Sequence, residues 1–336
     1  MRAIVVQEPG SIALVDRPDP AEPDAGWVAV DITHAGICGT DYHIFEGKHP
    51  FLQYPRVIGH ELSGIVAADA SGWSRGARVV INPYVACGTC HACLRGKPNC
   101  CMRIGVLGVH RDGGLCDRIN VPATNLISAD GLEQPEAATV EFLAIGAHAV
   151  RRSGTGPTDH VLVVGAGPIG LGAALFARLR GARVDLLDAS PERLQLVAER
   201  FGFEATHTVA EGAEALMAAT DGNGFDVVFD ATGSAAAMQT SFGYVAHGGT
   251  CVLVGVTPAD VTFNDAEFHK REMSLFGSRN ATSEDFETVV AALKSGAIDY
   301  RRLITHTTNL EGLPGSIAAW AADRSHVIKA MVSLAP

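Results

Sequence analysis

His160-Val-Leu-Val-Val164, then Gly165-Ala-Gly167-Pro168-Ile169-Gly170, then Leu171-Gly-Ala-Ala-Leu-Phe-Ala-Arg-Leu-Arg180 is the stretch that decides how this chain reads. A short continuous apolar run fits a strand buried on both faces, and the segment after the glycines reads as a helix. A lone G-x-G-x-x-G is weak evidence. One that closes a strand, opens a helix and has an acid at the end of the next strand marks a dinucleotide-binding turn. Gly165 allows the tight turn, Gly167 lets the backbone approach a pyrophosphate, and Gly170 permits close helix–sheet packing. Pro168 and Ile169 enter the helix where a missing N–H costs little, and the free N–H groups of that turn suit phosphates. The next strand, Arg183–Leu187, ends in Asp188, placed to hydrogen-bond a ribose diol and to repel a 2′-phosphate. The expected cofactor is therefore NAD, with Arg193 near enough to soften the preference.

Outward from this turn, strand and helix alternate: helix Pro191–Phe201, strand Phe225–Phe229, helix Ala235–Ala246, strand Thr250–Val254. That order implies a doubly wound parallel sheet. Thr232 and Val256 follow two of its strands at the carboxyl ends, where such sheets bind ligands, and are expected to line the nicotinamide. Helices near Ser283–Ser295 and Leu313–Ala322 and a strand near Val327–Leu334 close the chain. Its first part differs. Short β-like runs at Ala3–Val6, Ile12–Val15, Val28–Ile32, Val57–Ala68 and Val79–Ile81 suggest a β-rich, barrel-like unit, followed by one helix over Glu133–Arg152.

Composition sets limits on function. The 336 residues suggest about two domains, and 47% hydrophobic content supports packed cores rather than disorder. With 26 basic and 37 acidic residues the net charge is −11, which disfavours nucleic acid and anionic membrane as partners. The apolar run Val161–Ala177 is broken by Pro168 and is too short for a membrane span. The N-terminal apolar stretch breaks at Glu8-Pro9 and does not read as a signal peptide, so a cytoplasmic protein is expected.

Five of the eight cysteines lie between positions 87 and 101. The spacing Cys87-x2-Cys90-x2-Cys93 followed by Cys101 lets thiolates turn toward one tetrahedral centre, as structural zinc requires. Cys100 beside Cys101 leaves the fourth ligand ambiguous. Gly88, Gly96 and Pro98 supply turns, and Arg95 and Lys97 are expected to offset thiolate charge. Elsewhere, Cys38 in Gly36-Ile-Cys-Gly39-Thr40-Asp41 and Gly59-His60-Glu61 are each weak signals alone. With Glu141, set in the apolar run Ala137–Ala149, they offer sulfur, nitrogen and oxygen donors for a catalytic zinc. A carboxylate on the buried side of a helix needs a partner.

Taken together, these residues resemble the zinc-dependent medium-chain dehydrogenases/reductases over nearly the whole chain. Glu rather than Cys at position 141 is similar to the polyol (sorbitol) and threonine dehydrogenase branch. Phe142 departs from the Pro usual there. Longer runs, YPRVIGHE (54–61), NPYVACGTC (82–90), VLGVHRDGG (106–114), VEFLAIGAHAVRR (140–152), EFHKRE (267–272) and GSRNAT (277–282), resemble the bacterial L-galactonate 5-dehydrogenases.

The resemblance implies an α/β protein: a GroES-like β-rich catalytic domain of residues 1–142 and 280–336, with its zinc lobe at about 84–104, and a Rossmann NAD-binding domain of 143–279. It implies that Cys38, His60 and Glu141 hold a catalytic zinc, with Glu61 moving between ligand and outer partner. Thr40 and His43 would relay the hydroxyl proton to solvent. Arg279 and His110 are the candidates for a sugar-acid carboxylate. The implied activity is NAD- and zinc-dependent oxidation of a secondary alcohol of a sugar acid, L-galactonate at C5, with a polyol or L-threonine as the alternative. A non-catalytic NAD-binding sensor is a further class, disfavoured by the complete ligand set. A homodimer or homotetramer is implied as well.

Overall fold

The computed structural model of the protein describes residues 1–49 and 52–334. It divides into two compact units, Met1–Phe142 with the segment from Thr282 onward, and Leu143–Ala281.

In the first unit, the long strand Trp27–Ile37 is the organising element. It pairs antiparallel with Glu61–Val66, Arg118–Pro122 and Lys329–Ser333 within a seven-stranded sheet. Its apolar residues are those a β-rich core needs: Val28, Val30 and Ile32 are buried with Ile4, Leu62, Val79, Leu115 and Val332. The strand registers bring distant residues together. Gly36 faces Glu61 and Ile37 faces Ala330, so the ends of three strands meet where Cys38 leaves the sheet.

The second unit carries a six-stranded, wholly parallel sheet. Its spatial order is Thr206–Thr208, Arg183–Asp188, His160–Val164, Phe225–Asp230, Val245–Leu253, Ser274–Gly277. The order reverses direction between Arg183–Asp188 and Phe225–Asp230, on either side of the central His160–Val164 strand that feeds the glycine turn. This is the α/β architecture the alternation implies, a β-rich unit and a doubly wound one. Among the described residues no helix is long and apolar enough to cross a membrane.

Local departures have local causes. The single helix expected over Glu133–Arg152 is two, Gln134–Ala137 and Val140–Ser153. The Thr139 hydroxyl donates to Glu136 O at 2.7 Å, and such back-bonding competes with the helical ladder. Val57–Ala68 is also two strands, Arg56–Val57 and Glu61–Val66, parted at Gly59 with φ +97. The helix expected to run to Ala246 stops at Ser241. A 3-10 turn, Phe242–Tyr244, leads into a strand that starts at Val245. Phe242, Tyr244 and Val245 are all core residues, and a short apolar run does not distinguish strand from helix.

Candidate active site

Cys38 follows the strand and caps the helix Gly39–Phe45. The box is closed by Asp41, whose Oδ2 accepts from Cys38 N at 2.9 Å. Asp41 is fully buried, and its Oδ1 accepts from Gly59 N at 3.3 Å and lies 3.7 Å from His60 Nδ1. At that distance the Asp41 charge faces the imidazole without a hydrogen bond, and Nδ1 has no hydrogen-bond partner among the described residues. Asp41 is one role that sequence reasoning missed, although it follows Thr40 in the same short motif.

The donor atoms of Cys38, His60 and Glu61 lie within 4.8 Å of one another. Glu61 is held from the far side by Lys329, whose Nζ donates to both carboxylate oxygens at 2.6 Å and to Ile37 O at 3.3 Å. This ammonium is 1% exposed and sits 4.3 Å from the Phe142 ring centroid. Gly36 makes room for the pair, because a Cβ there would stand 2.1 Å from Glu61 Oε2. Glu141, in the first turn of its helix, lies outside the three-residue group. Its Oε1 accepts from the hydroxyl of buried Tyr84. Neither Lys329 nor Tyr84 was foreseen.

The electrostatics fit a cation. Burial pushes the Glu141 carboxyl up, to about 7, and Glu61 adds to it against the pull of His60. Burial lowers the proton affinity of His60, but Asp41 and Cys38 together outweigh it and raise its pKa well above the ordinary value. One half-buried thiol beside a buried imidazole and two buried carboxylates, with Lys329 already bound to one of them, match the donor chemistry of zinc. Thr40 Oγ1 is 3.9 Å from Cys38 Sγ, and His43 is exposed on the same short helix. Desolvation, then the Arg324 charge, lower the His43 pKa.

In the cysteine lobe, the sulfurs of Cys87, Cys90, Cys93 and Cys101 lie within 4.8 Å of one another, and all are free thiols. Cys101 is buried in the cluster, while Cys100 is exposed and outside it. Main-chain N–H groups point at the sulfurs: Cys87 N and Arg103 N to Cys101 Sγ at 3.3 Å, and Met102 N to Cys90 Sγ at 3.5 Å. Two side chains are seen to reach Cys87 Sγ among the described residues, the Thr89 hydroxyl at 3.7 Å and the charged Arg103, whose Nη2 is 3.3 Å away. It, rather than Arg95 or Lys97, supplies the nearby charge. Main-chain donation from Thr89 lowers the Cys87 thiol to about 5, and desolvation raises Cys93 to about 12.

In the second unit, Gly165 adopts φ +94, and a Cβ on Gly170 would lie 1.8 Å from Gly165 O. Those two glycines serve the protein's own packing. Gly167 does not: a Cβ there would meet no heavy atom within 4 Å. The open space at the N-cap of the helix Pro168–Leu179 is a cradle for an anion. Asp188 braces the turn, accepting from Ala166 N at 2.7 Å and from Ser190 N at 2.8 Å. Its oxygens keep further lone pairs for a ribose diol. Ser190, not Asp188, caps the following helix, where Arg193 is buried in the first turn. Thr232 is tied to Asp230 at 2.7 Å, and Val256 is 87% exposed. Arg279 is exposed in this unit, and His110 is exposed in the first, its Nδ1 accepting from Val106 N at 3.2 Å.

Residues 24–131 match the alcohol dehydrogenase GroES-like domain, and residues 168–295 match the zinc-binding dehydrogenase family. The chain is 40% identical to L-galactonate-5-dehydrogenase of Escherichia coli K12, covering 99% of each. It is 33% identical to D-altritol 5-dehydrogenase of Agrobacterium fabrum, covering 94% of each. An alcohol dehydrogenase of E. coli CFT073, solved with NADH, superimposes with a TM-score of 0.92 at 30% identity and 99% coverage of both chains.

Proposed function

This chain belongs to the zinc-binding alcohol dehydrogenases, and from that premise we propose that it oxidises a secondary hydroxyl of a sugar acid, L-galactonate at C5, with NAD. The observation that carries the substrate is the full-length likeness to L-galactonate-5-dehydrogenase. The reaction takes the secondary alcohol and NAD to the ketone, NADH and a proton.

Zinc, when bound, supplies Lewis acidity to a hydroxyl oxygen, and NAD supplies the hydride acceptor. Cys38, His60 and Glu141 would hold that metal directly or through water, with the Asp41 charge facing the imidazole and Lys329 drawing charge from Glu61. Thr40 is the first acceptor of the substrate proton, and exposed His43 passes it to solvent. Gly167 would admit the pyrophosphate, Asp188 would take the ribose diol, and Thr232 and Val256 would border the nicotinamide. Arg279 is the cation, and His110 the neutral hydrogen-bonding side chain, that we assign to the substrate carboxylate. The lobe cysteines Cys87, Cys90, Cys93 and Cys101 would hold a second, structural zinc. We take the enzyme to be cytoplasmic and a homodimer or homotetramer, as the resemblance implies.

A neutral polyol is the second reading, and the likeness to D-altritol 5-dehydrogenase favours it. The two separate in one assay: NADH formation by zinc-replete enzyme against aldonates, polyols and L-threonine. Preference for L-galactonate over galactitol supports the sugar acid. The reverse preference removes Arg279 and His110 from the carboxylate role and leaves the chemistry intact.

A further inference from the structure

Three acids surround the Cys38–His60 pair, and a different kind of donor holds each. Asp41 is held by main-chain N–H groups, Glu61 by an ammonium and Glu141 by a phenol. The distinction has electrostatic content. Lys329 brings a full positive charge to both oxygens of Glu61, so that carboxylate is neutralised as well as placed. The Tyr84 hydroxyl is a neutral donor to one oxygen of Glu141, so it orients that carboxylate and leaves its charge for another partner.

Tyr84 itself is rigidly set. Its strand, Tyr84–Val85, pairs with Gly105–Val106. Its N–H donates to Asn82 Oδ1 at 3.0 Å, and its carbonyl accepts from Asn125 Nδ2 at 3.2 Å. The ring meets Phe286 edge-on at a centroid distance of 6.4 Å and is 8% exposed. A phenol fixed at both main chain and ring cannot follow Glu141 if the carboxylate moves.

We propose that Tyr84 is a positioning residue of the catalytic metal site, engaging Glu141 Oε1 so that the carboxylate meets the metal, or its water, through its other oxygen only. This rests on the reading that Glu141 serves the metal. Tyr84 keeps Glu141 a one-oxygen partner with its charge intact, while Lys329 keeps Glu61 a neutralised one. Without the hydroxyl, Glu141 is free to turn both oxygens toward the metal or away from it.

The test uses the full-length protein with cobalt(II) in the catalytic site and zinc in the lobe. The visible absorption of the cobalt reports coordination, and competition with a chelator reports affinity. Tyr84→Phe retains the ring, its edge contact and the main-chain bonds. We expect it to shift the absorption bands and weaken metal binding about tenfold, the low end for loss of an outer partner. In a Glu141→Gln background the same change should alter affinity less than about twofold. If Glu141→Gln changes spectrum and affinity but Tyr84→Phe changes neither, the proposal fails and the assignment of Glu141 stands. If Glu141→Gln changes neither, Glu141 does not serve the metal and both fall.

Discussion

The cysteine lobe and the Cys38–His60 cluster are both sets of metal donors crowded within 4.8 Å, yet they are built in opposite ways. The lobe draws every donor from one short loop, uses only sulfur, and surrounds it with main-chain N–H groups. The other cluster gathers Cys38, His60 and Glu61 at strand ends and places Glu141 and Lys329 against them from distant elements. Its donors are mixed and its charges are paired inside the protein. A local, all-sulfur set makes a closed structural centre. A mixed, long-range set braced by buried partners leaves chemistry to a free position.

Breaking each region should therefore fail differently. The largest effect is expected for Cys38→Ala: turnover should fall on the order of a thousandfold, the rate equivalent of several kcal/mol of Lewis-acid stabilisation, measured as NADH formation. The lobe should be untouched, as its protection from proteolysis would show. Next, Lys329→Met removes one partner of a buried pair and leaves Glu61 uncompensated. Urea unfolding should lose about 3 to 5 kcal/mol, while Lys329→Arg retains most of it.

Within the lobe, Cys101→Ser should weaken the metal by more than about a hundredfold, beyond what an outer partner contributes. Cys100→Ser should change it less than about twofold, since that exposed thiol lies outside the cluster. Equal losses for the two would undo the assignment of the fourth sulfur. The smallest effect belongs to Arg103→Ala, which removes one guanidinium contact to Cys87 and should weaken the lobe's metal about tenfold, read by chelator competition.

The same contrast explains which features are legible in the sequence. Cysteine spacing shows a local centre because two-residue gaps act within one turn, whereas the choice between Cys100 and Cys101 is made by the folded loop, which buries one and exposes the other. The glycine turn is equally legible: strand, turn and helix are contiguous, and the helix Pro191–Phe201 begins and ends where its sequence pattern does. Lys329 is not legible. It lies 268 residues from Glu61, and nothing in its local sequence distinguishes it from a surface lysine. Tyr84 stands in the run NPYVACGTC with no visible role, since its partner is 57 residues away. The helix break at Thr139 depends on one hydroxyl choosing a carbonyl, which a hydrophobic period does not register.

The measurement that tests the presence of two distinct metal centres most directly is zinc content per chain on the wild type, Cys38→Ala and Cys101→Ser, paired with NADH formation on the same preparations. About two zinc ions are expected for the wild type, one closed and one catalytic, and about one for each variant. The zinc kept by Cys38→Ala should be inactive. Two ions retained by Cys38→Ala, or wild-type turnover with only the lobe occupied, would contradict a catalytic metal at Cys38.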